Sequence, residues 1–257
     1  MNIYKNNRLL LTVLAAFLAA CGGGGDGGPV SSPSALPEGV YGGTLTGSTS
    51  TAFQLLALEN GDLWTIYGTQ SPSIFSVAGF IQGSSSSGGT SFSSTNARDY
   101  GFAPAVGGTI TGTFNATART IAGSATAGGQ TVSFSGGPIA GSLYNYDTPA
   151  SVAVVSGNWT LGTTLNGDTV FLTVQPSGSF SATSNSGCSF TGNITPRASG
   201  KNVLNVSASF GPAPCALPGQ TATGIALSYP LLNRSTQLLV ALQDSSRTLG
   251  QAAFGTR

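Results

Sequence analysis

Apolar residues in this chain come in runs too short for a helix, and each run stops at residues that favour a turn. The clearest case is residues 51–67. There Phe53, Leu55 and Ala57 share one face of an extended segment, Asn60-Gly61 supplies the positive φ angles of a tight hairpin, and Leu63-Trp64-Thr65-Ile66-Tyr67 returns. Both faces of this hairpin are partly apolar. Similar runs occupy residues 170–174, 203–206, 225–229 and 238–242, with turns such as Asn166-Gly167-Asp168 and Pro176-Ser177-Gly178 between them. Composition removes the alternatives. Charged residues make up only 7% of the chain, so the long charged side chains that cover helix surfaces are nearly missing. With 40% hydrophobic residues, including 13 Phe, 7 Tyr and 2 Trp, the chain also has enough apolar surface for a core, which argues against disorder. The sequence therefore reads as all-β and antiparallel.

One unit is described twice. Gly39-Val40-Tyr41 precedes Phe53-Gln54-Leu55-Leu56 and Asn60-Gly61-Asp62-Leu63, while Gly157-Asn158-Trp159 precedes Phe171-Leu172-Thr173-Val174 and Ser177-Gly178-Ser179-Phe180. A further match sets Ala78-Gly79-Phe80-Ile81 against Thr191-Gly192-Asn193-Ile194. Each unit has room for about eight short strands, enough to close as a small barrel or pair as a sandwich, and closure removes edges that few lysines are present to guard. The expected architecture is two tandem small antiparallel β-barrels, one over residues 39–148 and one over 149–257. The aromatic that follows each starting glycine, Tyr41 and Trp159, resembles the first strand of lipocalin-like and streptavidin-like barrels. It is also similar to the barrel modules of Gram-negative surface lipoproteins that bind host proteins.

Ahead of these units, Lys5 and Arg8 form a basic start, residues 9–20 an apolar stretch too short to span a bilayer, and Leu18-Ala19-Ala20-Cys21 a small-residue cut site. The tetrapeptide resembles the lipobox of bacterial lipoproteins. That resemblance implies that residues 1–20 are a signal peptide and that Cys21 becomes a lipidated first residue of the mature chain. It also implies that Gly22, standing where an inner-membrane lipoprotein carries aspartate, directs the protein to the outer membrane. Two or three acyl chains hold a protein on a membrane essentially permanently, because each buried methylene adds about 0.8 kcal/mol. Residues 21–38 after the cut, rich in Gly, Ser and Pro, read as a tether that lets the barrels stand off the lipid.

The remaining cysteines, Cys188 and Cys215, fall in the second unit and in an oxidising compartment, which predicts a disulfide. The chain has no histidine, which excludes imidazole-based triads, imidazole-ligated zinc and a histidine switch. Beyond Cys21 the basic residues number seven against eight acidic ones and are scattered singly, which excludes a phosphate-binding stripe and a nucleic-acid partner. Paired carboxylates stay open as hydrolytic groups, from Glu38, Glu59, Asp62, Asp99, Asp147, Asp168 and Asp244, although Asp62 and Asp168 adjoin Asn-Gly turns and suit local backbone bonding. Trp64, Tyr67, Tyr100, Phe102, Tyr144 and Tyr146 are candidates to line a ligand surface, with core packing as the competing role. Tyr144 and Tyr146 fall at the junction of the units, where an inter-domain contact is the simpler expectation.

No cofactor and no metal site is expected. The sequence favours a non-enzymatic binding or envelope-organising lipoprotein, membrane-held through Cys21, with an envelope or extracellular protein as partner. A carrier of a small apolar ligand facing the periplasm, and a carboxylate hydrolase, are the alternatives.

Overall fold

A computed structural model describes residues 38–139, 144–231 and 233–257. Cys21, Gly22, the signal segment and nearly all of the tether lie outside the described residues. The chain forms β1 (Gly39–Thr46), β2 (Ala52–Ala57), β3 (Asp62–Gln70), β4 (Phe75–Ser84), β5 (Ser86–Gly88), β6 (Ser91–Asp99), β7 (Val106–Asn115), β8 (Thr120–Ala127) and β9 (Gln130–Gly137). A single helical turn, α1 (Val152–Val155), then leads into β10 (Gly157–Thr163), β11 (Thr169–Val174), β12 (Ser179–Ser184), β13 (Ser189–Pro196), β14 (Leu204–Phe210), β15 (Thr221–Pro230), β16 (Thr236–Asp244) and β17 (Gly250–Thr256).

Two closed eight-stranded antiparallel barrels result. In the first, neighbours in sequence pair around the ring, β1 meets β9, and β4 meets β6 through Ile81–Asp99 and Gln82–Arg98; β5 is a short flap on β6. In the second, β10 through β17 close when Gly162 and Thr163 pair with Phe254 and Ala253. Closure gives every ring strand among the described residues a partner on both sides, which suits a chain this poor in charge.

The strands of the two barrels correspond in order, with two corrections of register. Thr65 pairs with Ile81 as Ala182 pairs with Phe190, so Ile81 corresponds to Phe190 and the match of residues 78–81 to residues 191–194 is four residues out. Tyr41 pairs with Leu55 and Trp159 with Leu172, so the inward pairs of β2 and β11 are offset by 117 residues and Phe53 corresponds to Val170. Setting Phe53 against Phe171 is one residue out. Such a slip exchanges the two faces of a strand, and indeed Phe53 is buried in the first barrel while Phe171 is 48% exposed.

Among the described residues the apolar side chains gather into three cores. Tyr41, Phe53, Leu55, Phe92, Ile110 and Phe134 pack inside the first barrel, and Trp159, Leu172, Phe180, Ile194, Val206 and Leu238 inside the second. The third core lies between them. Leu56, Trp64, Ile66 and Phe80 from the outer wall of the first barrel meet Ile225, Leu227, Tyr229, Leu239 and Ala241 from the outer wall of the second. That is why the hairpin at 51–67 and the run at 238–242 are apolar on both faces. Polar groups tie the same interface. The Gln237 side chain accepts from the Phe75 N–H at 2.9 Å and donates to the Phe75 carbonyl at 2.7 Å, standing in for a strand edge. Gln54 donates to the Tyr229 hydroxyl at 2.7 Å, and Arg197 pairs with Glu59 at 2.6 Å.

Away from this interface the outer walls are hydroxylated. Thr46, Ser133, Ser124, Thr111 and Ser93 form one cross-strand row on the first barrel. Ser181, Thr191, Ser209 and Thr221 form another on the second. A barrel that spans a membrane presents an apolar band instead. Among the described residues no helix is long and apolar enough to cross a membrane.

Candidate functional site

The two interiors differ. At one end of the first barrel a cavity of about 470 Å³ is lined by Leu45, Phe53, Leu55, Ile81, Ile110, Val132 and Phe134, and its rim carries Ser48, Thr49, Gln130 and Phe102. Phe102 is 50% exposed. The second barrel keeps only about 70 Å³ at the corresponding end.

Loop length and chemistry explain the difference. In the second barrel the connection from β14 to β15 runs over residues 211–220 and is tied by the Cys188–Cys215 disulfide, whose Cα atoms are 4.6 Å apart. This loop sends Leu217, fully buried, into the barrel's apolar core. At the opposite end α1 inserts Val155, and the Trp159 indole N–H donates to the Val155 carbonyl at 2.8 Å. The equivalent connection of the first barrel, from β6 to β7, spans only residues 100–105, and its Phe102 stays on the rim. One barrel is corked and the other is open.

Asp99 is the carboxylate of the open cavity, and a β-bulge puts it there. Phe92 and Ser94 of β6 are buried at even positions, but the register shifts between Ser94 and Ala97, after which Ala97 and Asp99 take the inward places. One extra residue in a strand exchanges its faces; without it Arg98 would point inward. A second bulge, at Tyr67/Gly68 opposite β4, keeps Phe75 and Val77 on the same outer face as Phe80.

The Tyr67 hydroxyl donates to Asp99 Oδ1 at 2.6 Å, and the Gly101 N–H donates to the same oxygen at 2.8 Å. Glycine is needed twice for this contact. A Cβ at Gly79 would stand 2.3 Å from the Tyr67 hydroxyl and one at Gly101 1.9 Å from it. Burial pushes the Asp99 carboxyl above the usual carboxylate range, against the opposing hydrogen bonds from Tyr67 and Gly101. Burial, the Asp99 charge and the hydrogen bond it donates push the Tyr67 phenol well above its ordinary value. Thr65 lines the same cavity, and its Oγ1 is buried without a hydrogen-bond partner.

The other described carboxylates are spent elsewhere. Asp62 accepts from the Asn60 amide, Asp168 from Ser186, and Asp244 from Thr248 and the Leu249 N–H. Hydrogen bonds from serines hold the half-buried Asp168 at about 2. Glu38 and Asp147 both pair with Lys201. With Asp99 as the one carboxylate among the residues lining the cavity, the acid and base pair of a glycosidase is missing there. Among the described residues no cluster of three or more metal-ligating side chains occurs.

The aromatic candidates divide. Tyr67 and Phe102 line the cavity, whereas Trp64, Tyr100 and Tyr146 are buried in the core between the barrels. Tyr144 packs against that core, stands edge-on to Tyr229 at 6.0 Å between ring centroids, and donates to the Asn202 carbonyl. Sequence reasoning missed Asp99 as a cavity group, because a bulge in a Ser-rich strand leaves no periodic trace. It also missed Thr65, which looks like any strand threonine.

No family model matches the chain, and no curated protein matches it. Three of the likenesses among solved structures are as follows. A mutant of transferrin binding protein B from Haemophilus parasuis is 11% identical over 88% of this chain and 76% of that one, at a TM-score of 0.27. Transferrin binding protein B from serogroup B Neisseria meningitidis is 11% identical over 80% of this chain and 65% of that one, at 0.26. A protein of unknown function from the DUF3598 family of Nostoc punctiforme is 10% identical over 85% of this chain and 93% of that one, at 0.27. Scores this low assign neither fold nor activity, and both rest on the chain's own residues.

Proposed function

We propose that this chain is a non-enzymatic binding lipoprotein of the bacterial outer membrane, held there through lipid on Cys21, and that its first barrel receives a small, largely apolar ligand. The observation that carries this reading is the contrast between the barrels: the same fold is corked by Leu217 in one copy and left with about 470 Å³ of room in the other. A cavity of this size, mostly apolar with a few polar groups, has the make-up of a small-molecule site. The hydroxylated outer walls suit a domain that stands in water on a tether.

Filling the cavity tests the ligand. The neutral fluorescent probe N-phenyl-1-naphthylamine is expected to bind the full chain, and Ala125→Trp, at an inward cavity position, is expected to weaken it at least about tenfold, a loss of about 1.4 kcal/mol. Equal binding by the variant would place the probe elsewhere. The anchor is tested separately by growing cells with a fatty-acid analogue. Label is expected on the natural chain and none on Cys21→Ser, and equal labelling of both would remove the anchor from the proposal.

A further inference from the structure

We infer that the ligand of the first barrel is an apolar molecule bearing a protonated amine, with the ammonium seated against Asp99. The inference rests on reading the cavity as a ligand site and adds the chemistry of its polar end. Asp99 is 8% exposed, and both of its protein hydrogen bonds, from Tyr67 and Gly101, fall on Oδ1. No lysine or arginine is among the residues that line the cavity. The neighbouring Arg98 belongs to the opposite face of β6 by strand alternation.

A carboxylate withdrawn from water without a cation is costly, and the cost is recovered only by an opposite charge with further hydrogen bonds. Thr65 supplies such a bond. It pairs with Ile81, and Ile81 pairs with Asp99, so Thr65 and Asp99 flank one cavity-lining residue in a single cross-barrel row. An ammonium lodged over Ile81 would lie between Asp99 and the unpartnered Thr65 hydroxyl. Its apolar body would lie on Phe53, Leu55 and Phe134. A neutral ligand leaves Asp99 uncompensated, and an anion adds repulsion.

The pH dependence follows in sign. Tyr67 is the other titratable group lining the cavity, and its raised pKa keeps it neutral, so Asp99 governs the charge. Because burial raises the Asp99 pKa, amine affinity climbs as pH rises through that value, and binding of the cation releases a proton at lower pH.

Three probes of one shape test this on the full chain: 1-naphthylmethylamine, 1-naphthylmethanol and 1-naphthoate. Near neutral pH the amine is expected to bind about tenfold tighter than the alcohol or better, with the acid weakest. Asp99→Asn is expected to remove the preference for amine while still binding the alcohol, which also shows that the variant is folded. Lowering the pH on the natural chain is expected to narrow the same gap without any substitution. Equal affinity for amine and alcohol at neutral pH would overturn the amine assignment and leave the cavity standing as a ligand site. Failure of all three probes to bind would overturn both.

Discussion

Phe80→Ala is expected to lower stability by about 3–5 kcal/mol and to turn one unfolding transition into two. Phe80 is fully buried between Trp64, at 5.7 Å between ring centroids, and Tyr100, at 4.6 Å. Tyr100 in turn reaches the second barrel. Its ring lies on Gly250, where a Cβ would stand 2.4 Å away, and its hydroxyl donates to Gln243. Removing the Phe80 ring therefore empties the middle of the core that both barrels share. For a chain of this length the midpoint of the first transition should fall by roughly 6–20 °C. The control is Phe114→Ala, which removes a ring of similar size from inside the first barrel only. It should destabilise that barrel and leave the shared core intact. Calorimetry distinguishes the cases, since a single transition in Phe80→Ala, shifted no more than in Phe114→Ala, would show that the third core does not couple the barrels.

How much of this was legible beforehand depends on which rule each feature obeys. Alternation and Asn-Gly turns locate the strands because both act locally, and the hairpin at 51–67 emerges with its boundaries nearly as read. Its two apolar faces are the sequence trace of a strand buried on both sides. What they face required the second barrel. The inter-barrel polar contacts have a fainter trace: Gln54 interrupts an apolar strand and Gln237 stands at the head of an apolar run, and each proves to be buried and bonded across the interface. Asp99 was one candidate carboxylate among seven, and its inward place left no trace, because it depends on a one-residue bulge that neither composition nor spacing reveals. The open and corked barrels differ through the residues of two loops, 100–105 and 211–220. Only the cysteine in the second of these marked it as special.

The disulfide is the second feature whose removal should have a large effect. Joining Cys188 to Cys215 closes a separation of 27 residues, and releasing it in a Cys188→Ala, Cys215→Ala chain is expected to cost about 3.5 kcal/mol on the chain-entropy account. The effect should not stop at stability. The bridge fixes residues 211–220 across the barrel end, and Leu217 enters the core from that loop. Once the loop is free, the apolar surface around Phe180, Phe190 and Phe210 has no fixed cover. The second barrel should then gain what the first has, a mouth that takes an apolar probe. Titration of N-phenyl-1-naphthylamine is expected to show one site in the natural chain and two in the bridge-free chain, and still one in a bridge-free chain carrying Ala125→Trp. If the bridge-free chain stays at one site while losing the expected stability, the disulfide constrains the unfolded chain without holding the cork, and Leu217 is kept in place by its apolar contacts alone.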